Sequence, residues 1–216
     1  MGKSNVFTQI EKIAKKYFKK AHKSHDFSHV KRVYNLCLKI GKKEKADMEI
    51  LKIATLLHDI GREEEDKKKG KICHAEYGAI LAEKILKDLN FPQEKILKIS
   101  HCIKAHRYRN ETKPESIEAK VLFDADKLDS IGAIGIGRAF LFAFEVGANL
   151  HNSENIKISE TQPYTKEDTA YREFEVKLKN VSSRMLTSEG KKLARERHEF
   201  MVEFFDRLNK EIEGKL

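Results

Sequence analysis

An all-α fold is what this sequence predicts, and three observations carry the expectation. Only three prolines and 11 glycines interrupt 216 residues. Apolar residues recur at three- and four-residue steps through most of the chain, the period of a helix with one buried face. No stretch longer than a few residues alternates apolar and polar side chains as a half-buried strand would.

Taken in order, Val6, Phe7, Ile10, Ile13, Ala14, Tyr17 and Phe18 mark a first amphipathic helix. Val30, Val33, Cys37 and Ile40 make a second stripe, with Asp26 of His25-Asp26 expected to cap its start and Gly41 its end. The run from Ile50 to Leu57 is apolar on nearly every side, as in a helix enclosed by a core, and it ends in His58-Asp59. Ala79, Ala82, Leu86 and Leu89 mark a fourth helix, stopped at Asn90-Phe91-Pro92. Ile96, Ile99, Ile103 and His106 mark a fifth. A sixth is expected over 117–129, and GAIGIGRAFLFAFEVG continues as an apolar helix. Long amphipathic segments over 168–186 and 188–212 finish the chain.

Between these elements, the charge block 62–70 reads as a solvated loop that leaves directly from His58-Asp59, and 108–116 as a short polar link. Residues 149–163 read as a long polar loop, of the kind that is either disordered or functional. No composition shift or internal repeat divides the chain. A single domain over 1–216 is expected, with a core over about 20–150 and C-terminal helices over about 164–213.

Composition narrows the function classes. A hydrophobic content of 40% is enough for a core, and no apolar run approaches the roughly 20 residues needed to span a bilayer. The start, Met1 to Phe7, lacks an apolar leader, so a cytoplasmic protein with no membrane partner is expected. Cys37, Cys73 and Cys102 form no Cys-x-x-Cys pair, which argues for reduced thiols over a zinc ribbon or redox centre. The formal charge of +9 favours anionic ligands (nucleotides, phosphate esters or nucleic acid) without choosing among them. The glycines of IGAIGIG have no preceding strand, so close helix packing explains them better than a phosphate loop.

The chemistry begins at Asp59. An unpaired carboxylate at the end of an enclosed apolar helix must be neutralised, hydrogen-bonded or metal-bound. Potential partners occur in similar settings. His29 lies one turn before Val33 on the stripe expected to face the core, and Asp124, Asp126 and Asp129 lie within the apolar VLFDADKLDSIGAIGIG. Two imidazoles and two carboxylates from three helices would suit Mn²⁺, Fe²⁺, Co²⁺, Ni²⁺ or Zn²⁺ better than Ca²⁺. Neighbouring residues on a helix diverge by about 100°, so His58 and Asp59 share an ion only if it sits beyond the helix end.

The order His29, His58-Asp59, Asp126 resembles the signature of the HD-domain superfamily of metal-dependent phosphohydrolases. LLHDIG, HAEYGAILAEKIL and DADKLDSIGAIGIGRAF are similar to its small stand-alone members, as is the tail from EFEVKLKN onward, so the resemblance runs from about Asp26 to Phe205. It implies an HD-type helical bundle with His29, His58, Asp59 and Asp126 as ligands of one divalent transition metal, leaving room for a second. Asp126 takes the ligand place over Asp124 because it matches the acid before Lys-Leu. His74 and His106 match histidines that contact phosphate or a second metal, and are read here as phosphate contacts. Arg62 stands where some nucleotidase members carry an acid, and reads as a phosphate clamp; Lys127 and Lys177 are further phosphate-binding candidates. The implied activity is hydrolysis of a phosphate ester or anhydride of a nucleotide by a metal-activated hydroxide, with Asp59 or Asp129 taking the proton. The alternative is a non-catalytic nucleotide- or nucleic-acid-binding regulatory module. Nucleic acid is not the expected partner, because the basic residues are spread out and few aromatics lie among them. A diiron oxygenase is a third, more remote reading.

Overall fold

The computed structural model describes residues 3–18, 27–108, 112–152 and 156–216. Among them are ten α-helices and no strand, in agreement with the all-α expectation. His22, His25 and Asp26, the last expected as a helix cap, lie outside the described residues. The chain packs as two units, Met1–Asp126 and Lys127–Leu216.

In the first unit, α3 (Met48–Leu57) is the centre, in contact with α1 (Lys3–Lys16), α2 (Phe27–Lys43) and α6 (Gln93–Ala105). Asp47 caps α3 by accepting from the backbone N–H of Glu49 and Ile50 at 2.9 and 3.2 Å. From Ile50 to Leu57 every side chain except Lys52 is buried, and Thr55 satisfies its hydroxyl by donating to the Leu51 carbonyl at 2.7 Å. α5 (His74–Asp88) packs on α6 and on the short α4 (Arg62–Lys67), while α7 (Ile117–Leu128) brings Val121, Leu122, Phe123 and Ala125 into the interior.

Three expectations are corrected. Gly41 does not end α2, which runs on to Lys43. A Cβ at Gly41 would stand 2.4 Å from Leu51 Cδ2 and 3.1 Å from Met48 Sδ, so the glycine is there to let α2 approach α3. The charge block is not wholly a solvated loop: Arg62–Lys67 is helical, with Glu63 paired to Lys67 one turn on at 2.9 Å and Glu65 turned inward. The segment 168–186 is not one long helix. α9 (Ala170–Val176) is followed by 3-10 turns at Leu178–Asn180 and Ser182–Arg184, where Ser183 donates to the Asn180 carbonyl. Such local side-chain bonds compete with continued helix.

In the second unit, α8 (Gly132–Glu145) packs on α9 and on α10 (Ser188–Ile212), whose start Thr187 caps through the Gly190 N–H at 3.0 Å. Phe205 of α10 is fully buried and stacks on Phe174 with ring centroids 4.6 Å apart. Of the three glycines assigned to helix packing, Gly135 meets α10 only in ordinary contact, a Cβ there standing 3.4 Å from Met201 Cε; its tight neighbour is the Ser130 carbonyl of the turn into α8, at 2.3 Å. Gly132 fits the packing reading, with a Cβ 3.0 Å from Arg197 Cγ of α10, and also supplies the positive φ of 74° at the helix start, whereas Gly137 faces open space.

The described part of the 149–163 segment is tied down. Arg172 donates to Thr161 Oγ1 at 2.6 Å and pairs with Asp168 at 2.8 Å, while Asn152 donates to the Glu167 carbonyl and accepts from Thr169. All five of these side chains are buried and bonded, so Asn152 and Thr161 anchor the segment to an internal network, while Lys157, Ser159, Glu160 and Gln162 stay exposed.

Two measurements check this packing. Gly61 presses on α5 so closely that a Cβ would sit 2.3 Å from the His74 carbonyl and 2.8 Å from the Gly78 nitrogen. Gly61→Ala should therefore cost about 1–3 kcal/mol in a denaturant melt. Burial pushes the thiols of Cys37 and Cys102 up to about 12, whereas Cys73 is part-exposed. A disulfide-exchange reagent at neutral pH should titrate one thiol in the native protein and all three after unfolding.

Candidate metal centre

The site is made from helix ends. His58 follows the last residue of α3 and His106 the last of α6; His74 opens α5, His29 lies in the first turn of α2, and Asp126 in the last turn of α7. The two rings at helix C-termini are held in the same way. Nδ1 of His58 donates to the Thr55 carbonyl at 2.8 Å, and Nδ1 of His106 to the Ile103 carbonyl at 2.6 Å. Carbonyls left unpaired by the end of a helix thus take the ring N–H, and because a carbonyl only accepts, the proton is on Nδ1 and the Nε2 lone pair points away from the helix. Burial lowers the pKa of His58 to about 4 and also lowers that of His106, so both rings are neutral at pH 7.

These lone pairs meet carboxylate oxygens. Nε2 of His29 lies 3.4 Å from Nε2 of His58 and 3.3 Å from Asp126 Oδ1, with His58 Nε2 4.0 Å from the same oxygen. Asp59, 1% exposed, turns Oδ2 toward this group at 3.7 Å from His29 and 3.8 Å from His58. Its other oxygen, Oδ1, faces a second group, 3.2 Å from His74 Nε2 and 3.6 Å from His106 Nε2; those two nitrogens are 3.2 Å apart. Burial opposes a charge on Asp59, but the Arg62 guanidinium beside it outweighs burial and holds the carboxyl well below the usual carboxylate range.

Ligand atoms each about 2.1 Å from one cation stand roughly 3–4 Å apart, which is the separation within both groups. The neutral rings of His58 and His106 and the ionised Asp59 are also in the protonation states a metal requires. The residues therefore fit a divalent metal, His29, His58 and Asp126 as one group and Asp59, His74 and His106 as another.

The structure brings together His29, His58, Asp59, Asp126, His74, His106 and Arg62, all from the first unit. Arg62 lies against both Asp59 oxygens at 3.3 and 3.4 Å. His74 and His106, read from sequence as phosphate contacts, stand on Asp59 itself. The remaining candidates belong to the second unit. Asp129 is buried and accepts from Arg138 at 2.9 Å, Lys127 is part-exposed, and Lys177 is exposed and paired with Glu173.

Glu65 and Arg107 went unnoticed in the sequence. Glu65 accepts from His74 Nδ1 at 2.6 Å and from Arg107. Burial opposes its charge, yet those two partners hold its pKa down to about 2. A signal was present, since Asp59, Arg62 and Glu65 follow one another at three-residue steps, which on a helix is a single face.

The HD domain family matches residues 26–131. YpgQ of Bacillus subtilis is 35% identical over 194 residues, covering 88% of this chain and 85% of YpgQ. The crystal structure of that protein in complex with ADP has a TM-score of 0.75 at 30% identity, over 98% of this chain and 97% of the other. A HD-superfamily hydrolase from Bacillus thuringiensis has a TM-score of 0.77 at 25% identity, over 98% and 99% of the two chains. Among the described residues, no helix is long and apolar enough to cross a membrane. The matched segment carries all six of the grouped histidines and aspartates, and relatives share the fold over nearly their whole length: the chain belongs to the HD-domain superfamily.

Proposed function

We propose that this protein is a metal-dependent phosphohydrolase cleaving a phosphate ester or anhydride of a nucleotide. The observation that carries the reading is the meeting of ligand atoms from His29, His58, Asp59 and Asp126 in an enclosed place, at the separations a divalent cation would set. Such a cation, when bound, polarises a phosphoryl oxygen and acidifies a water. The protein's own residues supply orientation and countercharge. Arg62 is held beside Asp59, and its Nε is buried with no acceptor among the described residues, so a phosphate oxygen is a fitting partner for it. Held well below the usual carboxylate range by Arg62, Asp59 is a poor base at neutral pH, which argues against it as the group that takes a proton from water; Asp129 is paired with Arg138. The nucleotide class is supported by the formal charge of +9 and by the ADP complex of the B. subtilis relative.

Elemental analysis of the purified chain, followed by phosphate release from nucleoside mono-, di- and triphosphates with Mn²⁺, Co²⁺ or Ni²⁺, tests the reading. Asp126→Ala should weaken metal binding by more than the roughly 10–100-fold that loss of an outer hydrogen-bond partner costs, and turnover should fall with it. Full metal content and activity in that variant would sink the assignment. Salt-dependent nucleotide binding without turnover in the metal-loaded wild type would mark a binding module instead.

A further inference from the structure

We infer that Glu65, braced by Arg107, is a positioning residue that fixes the ring of His74 within the Asp59–His74–His106 group. The inference rests on the metal-dependent reading above and adds to it the residues that orient His74.

Three consecutive glutamates follow Arg62 in α4, and they behave differently. Glu63 and Glu64 pair with Lys67 at the surface, whereas Glu65 is 8% exposed. A buried carboxylate needs partners, and Glu65 has three. Oε2 accepts from His74 Nδ1 at 2.6 Å and lies 3.3 Å from Arg62 Nη1, while Oε1 accepts from Arg107 Nη1. Flanked by two guanidiniums, Glu65 accepts only, and the His74 proton is therefore on Nδ1. Nε2, the ring nitrogen that a cation would take, faces Asp59 Oδ1 at 3.2 Å and His106 Nε2 at 3.2 Å. His106 presents a lone pair there, because its own Nδ1 donates to the Ile103 carbonyl. Three ligand atoms converge, and one cation satisfies all of them.

His74 differs from His58 and His106 in what holds its ring. His58, in the first group, is oriented by the backbone carbonyl of Thr55, which no side-chain change removes. His74, in the second, is oriented by a side chain. Substituting Glu65 should therefore act on one ion and spare the other.

The test is a titration of the metal-stripped full chain with Mn²⁺, reading free Mn²⁺ by electron paramagnetic resonance. Wild type should bind two ions per chain. Glu65→Ala should weaken one of the two steps by about 10–100-fold and leave the other within about twofold. Glu65→Gln, which keeps an acceptor oxygen, should fall between wild type and Glu65→Ala. If circular dichroism shows that Glu65→Ala does not fold, Glu65→Gln and Arg107→Met replace it, each expected to weaken the same single step. Unchanged binding in the folded variants, or equal weakening of both steps, overturns the inference. A wild type that binds one ion overturns it while leaving the His29–His58–Asp126 reading intact. A wild type that binds none removes that reading too.

Discussion

Electron-rich atoms brought face to face in an enclosed place are the constraint around which the first unit is organised. Nε2 atoms of four imidazoles and oxygens of two aspartates approach one another at 3.2–4.0 Å. Acceptors at such separations repel unless a positive centre lies among them. Only a rigid surround keeps them there, and the largely apolar α3, packed against α1, α2 and α6, supplies it. The same burial that encloses the site keeps His58 and His106 neutral, while Arg62 keeps Asp59 ionised.

Helix ends are a sensible place to build such a group. An α-helix leaves its final carbonyls unpaired, and a histidine just beyond the end gives its Nδ1–H to one of them, as His58 does to Thr55 and His106 to Ile103. One bond thereby settles three things: the carbonyl is satisfied, the tautomer is chosen, and Nε2 is turned outward from the helix axis. His74 occupies the opposite kind of end, the start of α5, where no spare carbonyl is available. Glu65 does the same work from α4, and the contact of Gly61 with the His74 backbone fixes where α5 begins. The asymmetry follows from helix polarity alone.

The second unit uses charge differently. Asp129 is held by Arg138, and Arg197 donates to the Leu128 carbonyl at the end of α7. Arg172, Asp168, Thr161, Asn152 and Thr169 bind one another inside the unit. A segment that reads as loop by its polarity is thus secured by closing its polar groups on each other, as buried polar groups must.

The sequence by itself determined the helical class, the positions of most helices, and the order of His29, His58-Asp59 and Asp126. Apolar periodicity reflects which face of a helix is buried, and a carboxylate at the end of an apolar run announces that a partner exists. What the partners were was settled only by packing. Gly41 looked like a helix terminator because local pattern cannot show that Leu51 leans on it. Glu65 looked solvated because two of its three partners, His74 and Arg107, lie nine and 42 residues away. His74 and His106 share Asp59 Oδ1 only once α5 and α6 have docked. Periodicity records a residue's relation to its own helix, whereas a metal centre is a relation among the ends of several helices, and only the folded chain contains it.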